Sequence, residues 1–249
     1  LSTQSFYPPH HLTMGEGGAV NVVREARLKV LVESFRDWGR DCWCASGKDN
    51  TCNKRFGWQL GELPEGYDHK YIYSHLGYNL KPLDPQAAIG RQQLRKLPAF
   101  SRARVDNWNF FRRALASLEE FLEFQLPTHA TGWNGDAGFS WDGSGHRAEP
   151  SWFGFMMRVR PGAPRSRRDF ARALDAARVG NRMLFGGNLV RQPAFVQLRK
   201  DRPDAFRVVG DLSGADRIMN EAVFIGVYPG LTPSMREYAA EVILKFWKG

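Results

Sequence analysis

The sequence predicts an α/β protein, and three observations carry that prediction. Short β-branched or aromatic runs alternate with longer stretches of helical apolar spacing, several of those stretches open on capping residues, and 43% hydrophobic content over 249 residues suffices for a substantial core. "LSTQSFY" and "GGAVNVV" read as strands flanking a turn built on Gly15, Gly17 and Gly18. "REARLKVLVESFRDWG" follows with Leu28, Leu31, Val32 and Phe35 at helical spacing, and Gly39 stops that helix. Residues 40–56, "RDCWCASGKDNTCNKRF", are polar and irregular and predict a loop needing an internal staple. In "LDPQAAIGRQQLRKL", Asp84 as N-cap and Pro85 at the first helical position open a second helix, which Pro98 should kink or end. A long amphipathic helix is expected from about Ser101 to Phe124, with Val105, Trp108, Leu115, Leu118 and Leu122 on one stripe. Residues 128–150 carry five glycines and neither period, which predicts a long loop. Beyond it, "SWFGFMMRV" reads as a strand, "SRRDFARALDAARVG" as a helix opened by Ser166 and Asp169, "AVFIGVY" as a strand and "TPSMREYAAEVILKFW" as a closing helix. The break at Pro98 divides the chain into domains 1–98 and 99–249.

Composition bounds the partners. No run of about 18 apolar residues and no charged-then-apolar leader is visible, which predicts a cytoplasmic protein without membrane insertion. The chain opens inside a strand, on Leu rather than Met, so further sequence is expected before it. The net charge is +9, and eight arginines lie between Arg158 and Arg182, a density that attracts polyanions. Neither zinc-finger spacing nor an RNA-binding aromatic signature accompanies them, so no nucleic acid partner is expected.

Cys42, Cys44 and Cys52 are the only cysteines, and all three fall in the loop. An odd number without a secretory leader argues against a disulfide framework. Thiols this close on a polar loop suit zinc or an iron–sulfur cluster, both of which usually take four ligands. On the residues alone three readings stand: incidental thiols, zinc completed by a histidine such as His69 or His75, or a cluster with its fourth ligand outside this chain. A zinc-stapled basic module that binds nucleic acid is the reading from another class.

Adjacent histidines on an extended chain point in different directions, so His10 and His11 make a poor bidentate metal pair. Their segment, "SFYPPHHLTMGEGGAV", closely resembles the cofactor-lysine segment of the DegT/DnrJ/EryC1/StrS family of sugar-modifying pyridoxal-phosphate aminotransferases, Ser-Phe-x-x-x-Lys-Asn-x-x-x-x-Glu-Gly-Gly. The likeness continues through "ESFRDWGRDCWC", "GYDHKYIYSHLGYNLKPLDPQAAIG", "NRMLFGGNLVRQPAF" and "IGVYPGLT". It implies that Ser5 binds the cofactor phosphate and that His10 stands where the Schiff-base lysine belongs. Imidazole has no primary amine to condense with an aldehyde, but it titrates near pH 6.5 and suits a general base.

A histidine there implies a nucleotide-sugar 3-dehydrase, which holds pyridoxamine 5′-phosphate rather than tethered pyridoxal phosphate and eliminates the C3 hydroxyl of a 4-keto sugar. The spacing Cys42-x-Cys44-x7-Cys52 resembles the last three ligands of the 2Fe-2S cluster in the branch acting on a CDP-linked 4-keto-6-deoxyhexose; the first ligand would precede Leu1. The same resemblance implies electrons from an NAD(P)H-dependent reductase and a 3,6-dideoxy sugar product for surface polysaccharide. It makes Asn79 a contact to the cofactor phosphate of a neighbouring subunit in a homodimer. It also makes Arg182 and Arg191 contacts to the sugar or nucleotide phosphate, for which guanidinium is suited. The implied fold is the aspartate-aminotransferase type: 1–98 would close the large domain and carry the cysteine loop, and 99–249 would be the small C-terminal α/β domain. The family's phosphate-binding Gly-Ser/Thr turn, ring-stacking aromatic and pyridine-pairing aspartate have no match in this chain.

Overall fold

The computed structural model describes residues 1–45 and 47–249, so position 46 of the expected 40–56 loop lies outside the described residues. The chain forms two compact units, Leu1–Leu97 and Pro98–Gly249.

In the first unit, strands β1 (Ser2–Ser5) and β2 (Gly18–Asn21) pair antiparallel in the register Ser2↔Asn21 to Ser5↔Gly18. Helix α1 (Ala26–Arg36) follows. Its last turn is closed by Asp37 N–H to the Glu33 and Ser34 carbonyls and by Gly39 N–H to the Ser34 carbonyl at 2.7 Å. Gly39 ends the helix as expected, at φ +85°, and a Cβ there would lie 1.8 Å from the His75 carbonyl oxygen. The segment 71–80 is therefore laid directly against the helix end, with Tyr78 N–H to Phe35 O at 2.7 Å and Trp38 N–H to Tyr78 O at 2.8 Å.

Helix α2 (Asp84–Ala114) corrects two expectations. Pro98 lies inside it and does not end it. Proline removes one N–H from the ladder, and the turns on either side supply their own bonds. The helix also stops at Ala114 rather than near Phe124, because Leu115 leaves helical geometry (φ −101°, ψ 7°) and a 3₁₀ turn over Ala116–Leu118 leads into strand β3 (Leu122–Phe124). Leu115, Leu118 and Leu122 are all buried, so the apolar spacing was core spacing, which a turn and a strand satisfy as well as a helix.

The expected loop 128–150 contains a hairpin: β4 (Ala130–Trp133) pairs antiparallel with β5 (Phe139–Trp141). Strand β6 (Gly154–Val159) then enters the main sheet. Helix α3 (Arg167–Ala176) opens on Ser166, whose Oγ accepts from the Asp169 N–H at 3.1 Å and donates to the Asp169 carboxylate at 2.6 Å. The short strand β7 (Asn181–Arg182), helices α4 (Pro193–Asp201) and α5 (Ser213–Glu221), strand β8 (Ala222–Gly226) and helix α6 (Pro233–Lys248), capped by Thr232, complete the chain.

The second unit is a four-stranded antiparallel sheet in the order β3-β6-β8-β7. Alternation along β6 sends Phe155, Met157 and Val159 to one face, where they join Phe170 and Leu174 of α3 and Ile243 and Trp247 of α6 in a single core. Arg158, of opposite parity, reaches Glu221 at the end of α5 at 2.6 Å and also pairs with Glu123 of β3. Among the described residues no helix is long and apolar enough to cross a membrane.

Candidate active site and thiol pocket

The hairpin β1–β2 builds the first part of the site. Its pairing continues past the strands, with Phe6 N–H to Gly17 O at 2.9 Å and Met14 N–H to Phe6 O at 3.0 Å. Met14 is buried beneath the turn, and a Cβ on Gly17 (φ +145°) would lie 2.8 Å from its Sδ, so that position takes glycine. Gln86 in the first turn of α2 donates to the Glu16 carbonyl at 3.1 Å and anchors the turn from outside.

On this frame the structure brings Ser5 and His10 together. The His10 backbone N–H donates to the Tyr7 carbonyl at 3.0 Å, and its ring meets Tyr7 edge-on at 5.8 Å. His10 Nδ1 lies 3.4 Å from the Ser5 carbonyl. A carbonyl only accepts, so this contact selects the tautomer with hydrogen on Nδ1 and puts the lone pair on Nε2. The Ser5 hydroxyl accepts from the Tyr7 N–H at 3.3 Å. The turn from Ser5 to Gly18 contains a base and hydroxyls but no lysine, so it fits a cofactor that carries its own amine and not one that must be tethered. Asn79 sits elsewhere in this unit, exposed and bridged to Asp37 at the end of α1.

The thiols form a second locus. Cys42, Cys44 and Cys52 are half-buried, reduced, and line one small pocket together with Asp49, Arg55, His69 and Lys70. The loop leaves α1 through bridges from Arg40 to Tyr73 and from Asp41 N–H to the Ile72 carbonyl at 2.9 Å. It reverses at Asn50 and Asn53, both at φ +54°. Its staple is ionic: Arg55 grips Asp68 bidentately at 3.0 and 2.6 Å, and Lys70 pairs with Asp49. His69, only 1% exposed, presses its Nε2 against Asp41 at 2.6 Å, and Ser74 donates to the other Asp41 oxygen at 2.9 Å. The imidazole stacks on Trp58 at 4.5 Å and meets Trp43 edge-on, while its Nδ1 is a buried atom without a hydrogen-bond partner.

The thiols are electrostatically distinct. The Thr51 hydroxyl donates to Cys44 Sγ at 3.0 Å and draws that thiol down to about 7, whereas burial pushes the Cys42 thiol up. Three sulfurs, a cationic rim and an orphaned buried nitrogen fit an anionic thiolate-ligated centre in chemistry. Among the described residues, however, no three His, Cys, Asp or Glu side chains are gathered closely enough to hold a metal ion as they stand.

The two arginines lie in the second unit and are already engaged. Arg182, in β7, donates to the Asn181 carbonyl at 2.6 Å. Arg191 is held bidentately by Asp216 at 2.5 and 2.6 Å. Other arginines of the dense window serve the fold: Arg158 joins β6 to β3 and α5, Arg160 donates to the Glu119 carbonyl, and Arg165 lies over Phe246. The Asp41–His69–Ser74 network escaped sequence reading as a unit, because its members are spread over 34 positions and meet only through the bridges at Arg40 and Asp41.

An aminotransferase-type α/β scaffold is thus the class that the fold defines. The chain belongs to the DegT/DnrJ/EryC1/StrS aminotransferase family, whose profile matches residues 1–244. It is 47% identical over 247 residues to lipopolysaccharide biosynthesis protein RfbH of Salmonella typhimurium, covering 99% of this chain and 51% of that protein. It is 43% identical over 246 residues to dTDP-4-dehydro-2,6-dideoxy-D-glucose 3-dehydratase of Saccharopolyspora spinosa, covering 99% and 48%. The chain therefore spans about half the length of the curated relatives it matches. Among solved structures, Escherichia coli GDP-4-keto-6-deoxy-D-mannose-3-dehydratase with bound hydrated PLP superposes at a TM-score of 0.69, with 22% identity, 97% of this chain and 53% of that one covered. That likeness establishes the fold.

Proposed function

We propose that this chain belongs to a pyridoxamine 5′-phosphate-dependent 3-dehydratase that removes the C3 hydroxyl from a nucleotide-linked 4-keto-6-deoxyhexose. The observation that carries this reading is His10 in the Ser5–Gly18 turn, which the resemblance sets at the family's lysine position, with Nδ1 turned to the Ser5 carbonyl so that Nε2 is the basic nitrogen. Relatives named as 3-dehydratases of dTDP- and GDP-linked sugars, and the lipopolysaccharide protein RfbH, support the substrate class. We assign the CDP-linked sugar as substrate, with a 3,6-dideoxy sugar as product.

When bound, pyridoxamine phosphate supplies a primary amine for the 4-keto carbon and an electron sink for loss of the neighbouring hydroxyl. Ser5 would hold its phosphate, and His10 Nε2 would take the proton from the carbon bearing the amine, C4′. Proton transfer by a positioned side chain contributes typically ~10²- to 10⁴-fold. Tyr7 and the carbonyl of Ser5 keep the ring oriented so that the lone pair is presented without rotation. Cys42, Cys44 and Cys52 would hold three positions of a 2Fe-2S cluster, which supplies one-electron transfer, and a separate NAD(P)H-dependent reductase would feed it. Exposed Leu76, Tyr78 and Leu80 around Asn79 support a homodimer in which that segment meets the partner. The 1–98 region is accordingly the end of the large cofactor domain and 99–249 the small one.

The test is proton exchange at C4′ of bound pyridoxamine phosphate in deuterated water. His10→Asn should abolish it, and exchange retained in that variant would hand the base to His11 or another group. Replacing any one cysteine with serine should remove iron and leave pyridoxamine phosphate bound. A second reading, zinc held by the three thiolates and His69, rests on the orphaned His69 Nδ1, because metal-binding histidines typically give their other nitrogen to a carboxylate such as Asp41. Metal analysis of anaerobically purified protein separates the two: iron with visible absorption bleached by dithionite, or colourless protein with zinc.

A further inference from the structure

The glycine-rich stretch 128–150 carries a cluster that neither the histidine turn nor the thiol pocket uses. His129 stands directly before β4 and Asp142 directly after β5, and the Asp142 N–H donates to the His129 carbonyl at 2.9 Å, so the base of the hairpin sets the two side by side. His129 Nδ1 lies 3.0 Å from one oxygen of the Asp142 carboxylate. The Ser144 N–H donates to the other oxygen at 2.9 Å, and the Ser144 hydroxyl donates to that same oxygen and lies 3.2 Å from His129 Nδ1. Gly145, at φ +78°, then reverses the chain. The His146 N–H closes the turn on the Ser144 hydroxyl at 3.2 Å, and the rings of His129 and His146 come to lie 5.2 Å apart at 45°.

Three features of this cluster exceed what a hairpin needs. Among the described residues of 128–150, Gly135, Gly138 and Gly145 take left-handed backbone, and so does His129, at φ +70°. Glycine adopts that conformation without a Cβ penalty, so closing the turn does not itself call for an imidazole at 129. The ring is also oriented. Donation from the Ser144 hydroxyl and N–H and from His129 draws the Asp142 carboxyl down to about 2, so it is an anion that accepts from Nδ1–H and leaves the lone pair of His129 on Nε2. A carboxylate on one imidazole nitrogen is the usual support of a histidine whose other nitrogen holds a metal. The spacing agrees as well: two imidazoles on one ion, at metal–nitrogen distances of about 2.0–2.1 Å, have centroids roughly 5 Å apart.

We propose that His129 and His146 form a binding site for a divalent transition metal of the zinc class, with Nε2 of His129 and a ring nitrogen of His146 as its two protein ligands. Water completes the coordination shell, and Asp142 is a positioning residue rather than a ligand. Imidazole suits this class of ion, and the exposed His146 needs only ring rotation to meet it. The bound ion would fasten the turn after β5 to the start of β4. This site is independent of the dehydratase reading and of the thiols, which belong to the other unit.

The experiment is calorimetric titration with zinc of the intact protein, freed of loosely bound metal, as wild type and as His129→Asn, His146→Asn and Asp142→Asn. All four proteins carry the same thiols, so differences among them report the histidine site. Wild type should take up one zinc ion more than either histidine variant, whereas Asp142→Asn should keep the stoichiometry and lose ~10- to 100-fold in affinity. Asparagine tolerates left-handed backbone at 129 and position 146 is exposed, so both histidine variants should show the metal-free Tm of wild type. Cobalt in place of zinc identifies the ligands: the extra ion should show visible ligand-field bands without the near-ultraviolet absorption of a thiolate–cobalt bond. Equal stoichiometry in wild type and both histidine variants overturns the proposal, and so does an extra ion whose cobalt spectrum carries thiolate absorption. Wild-type affinity in Asp142→Asn overturns the positioning role of the carboxylate.

Discussion

The two units reach order by different means. In 98–249 one apolar core runs from Trp108 through Phe155 and Phe170 to Trp247. In 1–97 the buried side chains among the described residues are few, Met14, Ser34, His69 and Ile72, and the segment from Tyr67 to Leu83 shows solvent seven large apolar side chains, with Leu76 97% exposed. That unit is held in shape by backbone bridges, glycine contacts and ion pairs, and it carries both the histidine turn and the thiols. The lesson is that the second unit specifies its own fold through burial, whereas the first specifies positions of chemical groups and leaves an apolar surface of the kind that marks interfaces.

The strongest way to break this comparison is to remove the centre of the core. Trp108→Ala deletes a side chain 1% exposed and stacked on Trp152, and should cost ~3–5 kcal/mol in denaturant unfolding of 98–249. Leu76→Asp should leave that unfolding within ~0.5 kcal/mol and instead weaken self-association in sedimentation. Equal destabilisation by the two variants would show that the units do not differ in this way.

A polar substitution sharpens the same point. Asn107 is buried and fully used: its amide donates to the Val227 and Tyr228 carbonyls at 3.2 and 2.9 Å, and its oxygen accepts from Arg236 at 3.0 Å. Asn107→Ala strands all three partners and should cost about 2 kcal/mol. In the first unit, His69→Phe keeps the stacking on Trp58 and loses only the bond to Asp41, which water already reaches. Its cost should be nearer ~1 kcal/mol, measured by denaturant unfolding of the first unit within the whole chain.

The same contrast decides what the sequence revealed. Capping and periodicity were legible wherever a residue acts on its chain neighbours: Ser166 with Asp169, Thr232 before α6, Gly39 after α1. They failed where the third dimension chose. Leu115, Leu118 and Leu122 keep helical spacing but belong to a turn and a strand, because burial rewards position and not period. The hairpin at Ala130–Trp133 and Phe139–Trp141 hid behind glycines, and its rings count only because they pack on Trp108. The proximity of Ser5 to His10 and of the three cysteines to one another was readable because each set lies within one short segment. The Asp41–His69 contact and the approach of His129 to His146 were not, since their members come from separate segments and carry no motif.

The smallest expected effect concerns Arg191, assigned to the substrate and yet held by Asp216. Its guanidinium, with Asn188 at 2.8 Å, draws the Asp216 carboxyl down to about 2. The folded value lies below the ordinary ~3.9 of an unfolded aspartate, so this pair stabilises the fold fully above about pH 4 and ceases to do so as pH falls toward 2. Asp216→Asn should therefore lower stability slightly above about pH 4, with the difference from wild type shrinking as pH falls from 4 toward 2, by acid titration of thermal unfolding. The exposure of the pair keeps the effect small. The variant also frees Arg191, and if that arginine meets the diphosphate, Asp216→Asn should bind CDP more tightly at neutral pH than wild type. Unchanged CDP affinity would leave Arg191 as a tie between the 189–191 turn and α5.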